Sequence, residues 1–334
     1  MLEKPSLKDE RIIARLERVY GLQVAELTFL PLGADMNTAV YRAVAEDETP
    51  YFVKLRRGNF AEASVTVPNF LSGLGIEQII PPLPTQKGRL WTSLAPYSVI
   101  LYPFVEGHNG FEVKLSDRQR IAFGKALKRF HTADIPTALT NDVRREIFSP
   151  HWRDTVKTFL AQIESETFKD PIAADLATFL KTKRSEILEL VERTERYASA
   201  LKTQSLDFIL CHADIHAWNL LIDGNGSLYI VDWDTLIRAP KERDLMFIGC
   251  GLGGIGHTLQ EEETLFYQGY GQTQINPTAL AYFRYERIIE DIAVYCEQIF
   301  YSRGDEDRQQ GLEFLKSNFL PDGTIALAYQ LDKV

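Results

Sequence analysis

The chain has 334 residues, 45% of them hydrophobic and 25% charged, which is enough to bury a large core and to make two lobes. A formal net charge of −9 disfavours a nucleic-acid binder that tracks phosphates and suits a neutral or cationic small partner. Three cysteines, at 211, 250 and 296 with no CxxC pair, argue against a disulfide or metal scaffold and fit a reducing cytosol.

The opening MLEKPSLKDERII has no apolar h-region, and no stretch reaches about eighteen apolar residues, so neither secretion nor a membrane span is predicted. Leu7, Ile12, Leu16 and Tyr20 recur at roughly helical spacing, and Gly21 offers a stop, which predicts a helix over 7–20. Residues 24–30 and 39–44 have strand character and flank Pro31-Leu32-Gly33-Ala34-Asp35-Met36-Asn37-Thr38. This segment is either an ordinary hairpin turn or a cover for phosphates, with Gly33 allowing close main-chain approach and Asn37 and Thr38 donating hydrogen bonds. After a turn at 47–50, the strand Tyr51-Phe52-Val53-Lys54-Leu55 carries a lysine inside an apolar run. Either its stem snorkels from an edge, or its ammonium meets phosphate and a carboxylate from the next helix, predicted over 60–72, where Glu62 is the best candidate.

Residues 75–97 are rich in proline and turns, and the apolar run SVILYPFVEG follows. The end of that run suits either a plain crossing between lobes or an adenine site, the pairing groups being the carbonyl of Tyr102 and groups at Phe104 or Val105, since Pro103 lacks a donor. The boundary between a lobe 1–103 and a lobe 104–334 is placed here. Beyond it, helices are predicted over 117–132, 152–163, 172–182, 184–201, 261–270 and 278–301. His131 reads as a packing residue. The run Gly249–Gly256 lacks the context of a dinucleotide fingerprint and reads as a connection. Glu286, Arg287, Glu290 and Asp291 either close over an amine-bearing ligand or form surface salt bridges.

The chemistry concentrates in FILCHADIHAWNLLIDGNGSLYIVDWD, from Phe208 to Asp234. Short apolar runs at 208–211, 219–222 and 228–231 read as strands, with a turn signal at Asp223-Gly224-Asn225-Gly226. A hairpin there returns Asp232 towards Asp214 and Asn219, placing a candidate base beside two oxygen ligands for a hard cation. Cys211 reads as a buried small hydrophobe, and nothing completes a zinc set around His212 and His216. His212 is expected to fix the Asp214 loop. Asp234 either offers charge to a cationic substrate or caps the next segment.

HADIHAWN followed by VDWD resembles the catalytic core of the aminoglycoside phosphotransferases and related small-molecule kinases. The longer run CHADIHAWNLLIDGNGSLYIVDWDTLIRAPKERDLMFIG is most similar to the spectinomycin-directed members, with support from GADMNTAVYRA, YFVKL and FRYERIIEDIAVY. The resemblance implies an α+β, protein-kinase-like fold with a small β-rich N-terminal lobe, a larger helical C-terminal lobe and ATP between them. It implies Asp214 as catalytic base, Asn219 and Asp232 as Mg²⁺ ligands, Lys54 on the nucleotide phosphates with Glu62 as its partner, and Asp244 as an anchor of the catalytic loops. It further implies a cytoplasmic enzyme, monomeric or weakly self-associating, that phosphorylates a hydroxyl of an aminocyclitol or aminoglycoside carrying amino groups, spectinomycin first, and so confers resistance. Trp233-Asp234 in place of the Phe-Gly of protein kinases points away from a protein substrate. The alternatives are a kinase for choline, homoserine or a sugar derivative, a nucleotide-binding protein without transfer, and a nicotinamide oxidoreductase, for which no fingerprint exists.

Overall fold

In the computed structural model, which describes residues 4–33, 37–58, 60–249, 258–302 and 304–332, helix α1 (Asp9–Tyr20) turns the fully buried Ile12 and Leu16 inward. It stops at Gly21, whose φ of 74° glycine adopts without steric cost. Next come β1 (Val24–Leu30), β2 (Thr38–Ala45), β3 (Pro50–Arg57), α2 (Ala63–Gly73), β4 (Thr92–Leu94), β5 (Tyr97–Pro103) and β6 (Gly107–Asn109). Then α3 (Asp117–His131), α4 (His151–Ser165), α5 (Pro171–Lys202), β7 (Ile209–Cys211), β8 (Leu220–Asp223), β9 (Leu228–Ile230) and β10 (Ile237–Ala239) follow. The described chain ends with α6 (Glu242–Leu245), α7 (Leu259–Tyr270), α8 (Pro277–Tyr301), α9 (Asp305–Ser317) and α10 (Thr324–Leu331).

The chain forms two compact units, Met1–Arg144 with His212–Ile237 and Gly251–Gln272, and Arg145–Cys211 with Arg238–Cys250 and Thr273–Val334. The lobe boundary expected at 103–104 falls inside the first of these. No helix among the described residues is long and apolar enough to cross a membrane.

The first unit holds an antiparallel sheet in the order β1-β2-β3-β5-β4. Strand alternation turns Val53 and Leu55 to one face, where they pack with Tyr41, Val99, Leu101 and the Ile12–Leu16 stripe. It turns Lys54, between them, to the other face. A second sheet, β6-β8-β9, contains the hairpin anticipated at 223–226. The Asp223 carboxylate closes that turn by accepting from the N–H groups of Asn225 (2.9 Å) and Ser227 (2.8 Å). Helices α3 and α7 cross in backbone contact: a Cβ on Gly124 would collide with the Phe266 carbonyl, and one on Gly269 with the Ile121 carbonyl. Only two residues without side chains let these helices approach so closely.

The second unit is a helical core in which Leu160, Leu180, Val191, Ile289 and Ile292 are buried together. α5 is one helix of 32 residues where the sequence suggests two. No glycine or proline stands near Lys183 to end the first segment, so the hydrogen-bond ladder runs through. Near the end of α10, the buried Asp332 carboxylate accepts from Arg193 (2.9 Å), Tyr197 (2.8 Å) and Tyr285 (2.9 Å). The run 208–211 joins a two-stranded sheet with β10 instead of extending the hairpin sheet. Buried Cys211 there sets its sulfur 3.6 Å from the Ala239 and Pro240 carbonyls, and burial raises its thiol pKa.

Candidate active site

The loop from His212 to Asn219 is held from within. His212 is fully buried, and its Nε2 donates to the Val231 carbonyl at 3.0 Å while its Nδ1 accepts from the Asp214 N–H at 3.3 Å. A carbonyl can only accept and an amide N–H only donate, so the ring is the neutral Nε2–H tautomer. Ala213, between His212 and Asp214, has φ 72°, which is uncommon for a residue with a Cβ and costs on the order of 1 kcal/mol. The bend lets the Asp214 N–H reach back to its neighbour's ring. The Asn219 amide nitrogen donates to the Asp214 carbonyl (2.8 Å) and to its carboxylate (3.3 Å), and His216 Nε2 lies 3.2 Å from the same carboxylate oxygen.

A second loop follows β9. Asp232 also has a left-handed backbone, φ 61°, which an aspartate tolerates better than most residues. Buried Trp233 wedges it in place: the indole N–H donates to the Ile230 carbonyl at 3.1 Å, and the ring meets Phe130 and His212 edge-on. The Val231 N–H donates to the Asn219 carbonyl (3.0 Å), and the Thr235 hydroxyl donates to the His212 carbonyl (2.7 Å). The two loops therefore brace one another through the His212 ring, the Thr235 hydroxyl and one main-chain bond, none of which uses the carboxylate of Asp214 or Asp232.

Lys54 joins them from β3. Its ammonium lies 2.9 Å from Asp232 and 2.8 Å from Asp234, with only 9% of its side chain exposed. Burial alone would lower its pKa, but the two carboxylates outweigh that effect and hold it well above the ordinary lysine range. The same ammonium pulls the Asp232 carboxyl below its usual range. Arg56, two residues along β3, approaches Asp234 at 3.6 Å and donates to the Thr38 hydroxyl at 2.7 Å.

Glu62, expected as the partner of Lys54, stands elsewhere: at the start of α2 it accepts from the Trp91 indole at 3.0 Å. The carboxylates that meet Lys54 come from the segment after β9. Gly33 has φ 93°, and the Asn37 carbonyl accepts from the Arg57 N–H (2.7 Å), so the turn is stitched to the end of β3; 34–36 lie outside the described residues. Tyr102 lies opposite Phe52 in the β3–β5 pairing, and burial raises its phenol pKa, with Lys54 opposing. The Phe104 N–H points to the Pro50 carbonyl at 3.4 Å, and the Phe104 ring lies under Arg42. Of the run Gly249–Gly256, all but Gly249 lies outside the described residues.

A hard divalent cation fits this donor set. Asn219 directs its amide nitrogen to Asp214, so its amide oxygen is the atom that would face a cation. Asp232 gives one oxygen to Lys54 and keeps 51% of its side chain exposed. Neutral and anionic oxygens of this kind suit magnesium better than a soft metal. Sequence reasoning left the role of Asp234 open between charge for a cationic substrate and a cap, and passed over Arg56. The signal for Arg56 was present in strand periodicity, since residues two apart on β3 share a face.

The sequence pattern of the phosphotransferase enzyme family matches residues 28–273. Over its length the chain is similar to the crystal structure of spectinomycin phosphotransferase APH(9)-Ia in complex with ADP and spectinomycin. The two are 35% identical with a TM-score of 0.89, the match covering 99% of this chain and 100% of that one. Protein StrN of Streptomyces griseus is 28% identical over 225 residues, which is 65% of this chain and 67% of StrN. Amicoumacin kinase hAmiN, only 14% identical, shares the fold at a TM-score of 0.62 over 94% of each chain.

Proposed function

This chain belongs to the phosphotransferase enzyme family, and from that premise we propose that it phosphorylates a hydroxyl of spectinomycin or of a close aminocyclitol. It is an ATP-dependent phosphotransferase acting on a small-molecule hydroxyl, with a two-lobed kinase-like fold of small β-sheet N-lobe and larger helical C-lobe. The choice of acceptor is supported by the full-length likeness to an enzyme solved with ADP and spectinomycin. The observation that carries the assignment of roles is the meeting of Lys54 with Asp232, 178 positions apart in the chain, at 2.9 Å.

In this reading Asp214 accepts a hydrogen bond from the acceptor hydroxyl and takes its proton as the oxygen attacks the terminal phosphorus of ATP, whose bond to the bridging oxygen breaks to release ADP. An ionised carboxylate suffices, because phosphoryl transfer depends on positioning and charge stabilisation more than on a strong base. Asn219 orients that carboxylate through its amide nitrogen, and His216 borders the same oxygen. Lys54 binds the nucleotide phosphates and disperses their charge. Asn219 and Asp232 would hold magnesium, which supplies charge neutralisation across the phosphates. Tyr102 and Phe104 border the adenine site.

The test is a steady-state assay of ADP release by purified protein over spectinomycin, other aminocyclitols and aminoglycosides, choline, homoserine and simple sugars. Turnover with spectinomycin at a kcat/KM well above every other acceptor is expected. Preference for choline, homoserine or a sugar would replace the acceptor while keeping the chemistry. ATP binding without turnover on any of them would remove the transfer reading.

A further inference from the structure

Lys54 and Arg56 sit two residues apart on β3, and both cations are drawn to one carboxylate oxygen of Asp234, at 2.8 and 3.6 Å. Arg56 is at the same time anchored to Thr38, the first residue of β2, by a 2.7 Å hydrogen bond from its guanidinium. It therefore stands between Thr38, at the start of β2, and the ammonium expected to bind the phosphates. Only 21% of the Arg56 side chain and 18% of that of Asp234 are exposed, so the contact is largely removed from water. A carboxylate oxygen and a phosphate oxygen make the same demand on such donors: a hard anionic acceptor with charge-assisted hydrogen bonds. Asp232 and Asp234 balance Lys54 and Arg56 charge for charge. A nucleoside triphosphate brings more negative charge than one divalent cation neutralises, and Lys54 alone would leave that surplus facing two carboxylates.

We propose that Asp234 is a built-in stand-in for a nucleotide phosphate, holding Lys54 and Arg56 together until a phosphate displaces it, and that Arg56 is a second phosphate-binding cation. The inference rests on the nucleotide-binding reading of Lys54. Binding of a phosphate then exchanges one ion pair for another, and the free energy of breaking the Asp234 contacts is subtracted from nucleotide affinity. Removing the internal competitor tightens nucleotide binding, whereas removing the second cation weakens it. Neither change affects a ligand without phosphate.

The experiment is calorimetric titration of ADP, and of adenosine as the phosphate-free control, into wild type, Asp234→Asn, Arg56→Gln, Arg56→Lys and Lys54→Met, with chelator and no acceptor present. Asp234→Asn is expected to bind ADP about five- to tenfold more tightly and Arg56→Gln about tenfold more weakly, with Arg56→Lys between Arg56→Gln and wild type and adenosine unchanged throughout. A melting curve on each variant confirms folding, and Asp234→Ser and Arg56→Lys serve where the first choice does not fold. Unchanged or weaker ADP binding on removal of Asp234, unchanged ADP binding in Arg56→Gln, or equal shifts for adenosine and ADP would each overturn the proposal. Wild type and Lys54→Met binding ADP equally would instead remove the underlying reading of Lys54, so the two failures are distinguishable.

Discussion

His212 donates to the Val231 carbonyl at 3.0 Å, and that bond ties the loop carrying Asp214 to the loop carrying Asp232. The same ring accepts from the Asp214 N–H, so one buried side chain holds both loops of the proposed catalytic set. Replacing it with alanine leaves a buried carbonyl and a buried N–H without their partner, a cost of about 1–3 kcal/mol for each group left unsatisfied. His212→Ala is expected to melt several degrees below wild type and to lose at least about tenfold in kcat. Asn in its place should recover part of the stability through the bond to Val231. Thermal melts alongside steady-state kinetics test this, and an alanine variant with wild-type kcat would show that the loops hold their geometry without the ring.

The Gly124–Gly269 crossing makes a prediction that no side-chain contact could make. A methyl group on either helix meets a carbonyl of the other, and relief requires moving a whole helix. Gly124→Ala and Gly269→Ala should each destabilise the protein by about 1–3 kcal/mol or more, although alanine is the better helix former by about 1 kcal/mol. The double variant should cost less than the sum, because one displacement of α3 from α7 relieves both collisions. Urea melts of the three variants decide it; a stabilising Gly124→Ala would mean the helices are not in backbone contact.

Much of this arrangement could be read along the chain, and what could not shares one physical cause. The β8–β9 hairpin was legible because Asp223-Gly224-Asn225-Gly226 and the flanking apolar alternation are local signals. Asp214, Asn219 and Asp232 could be singled out because their order and spacing carry the resemblance. The partner of Lys54 was not: strand periodicity gives the face on which the ammonium lies but not which of Glu62, Asp232 and Asp234 shares it. Trp91 takes Glu62 by a contact between residues 29 apart, and Asp234 reaches β3 only once the loop after β9 is bent at Asp232. The Gly124–Gly269 crossing was likewise hidden, since a glycine within a helical pattern reads as a weak point until its neighbour in space is known. The clamp on Asp332 joins residues 135 and 139 positions apart, and no periodicity reports such a pair.

That clamp is a stability device. Asp332 is buried and accepts from a guanidinium and two phenols, so its removal leaves three donors unsatisfied around Arg193. Asp332→Ala should cost about 2–4 kcal/mol, the range for breaking one side of a largely buried, hydrogen-bonded charge pair with a partner that keeps some solvent. Asp332→Asn should retain the two tyrosine bonds through its carbonyl and lose less. Chemical denaturation distinguishes the two substitutions, and equal effects would mean the charge of Asp332 dominates over its hydrogen bonds.

Glu286 gives a pH prediction whose sign follows from burial. It is paired with Arg153 in the helical unit, yet desolvation exceeds that attraction and, with repulsion from Glu146 and Glu290, pushes its carboxyl up to about 7 from 4.5. The folded state then holds a proton that the unfolded chain has already released between those values. Stability from this group is therefore greatest below about pH 4.5 and is lost as the pH rises towards 7, by at most about 3 kcal/mol. Glu286→Gln keeps the shape and most of the contacts of the protonated acid but cannot ionise. The difference in unfolding free energy between the two proteins should be small near pH 5 and grow in favour of Glu286→Gln towards pH 7.5. Urea titrations at half-unit steps measure it. A difference that stays flat, or that favours the wild type increasingly as the pH rises, would mean that Arg153 keeps Glu286 ionised throughout.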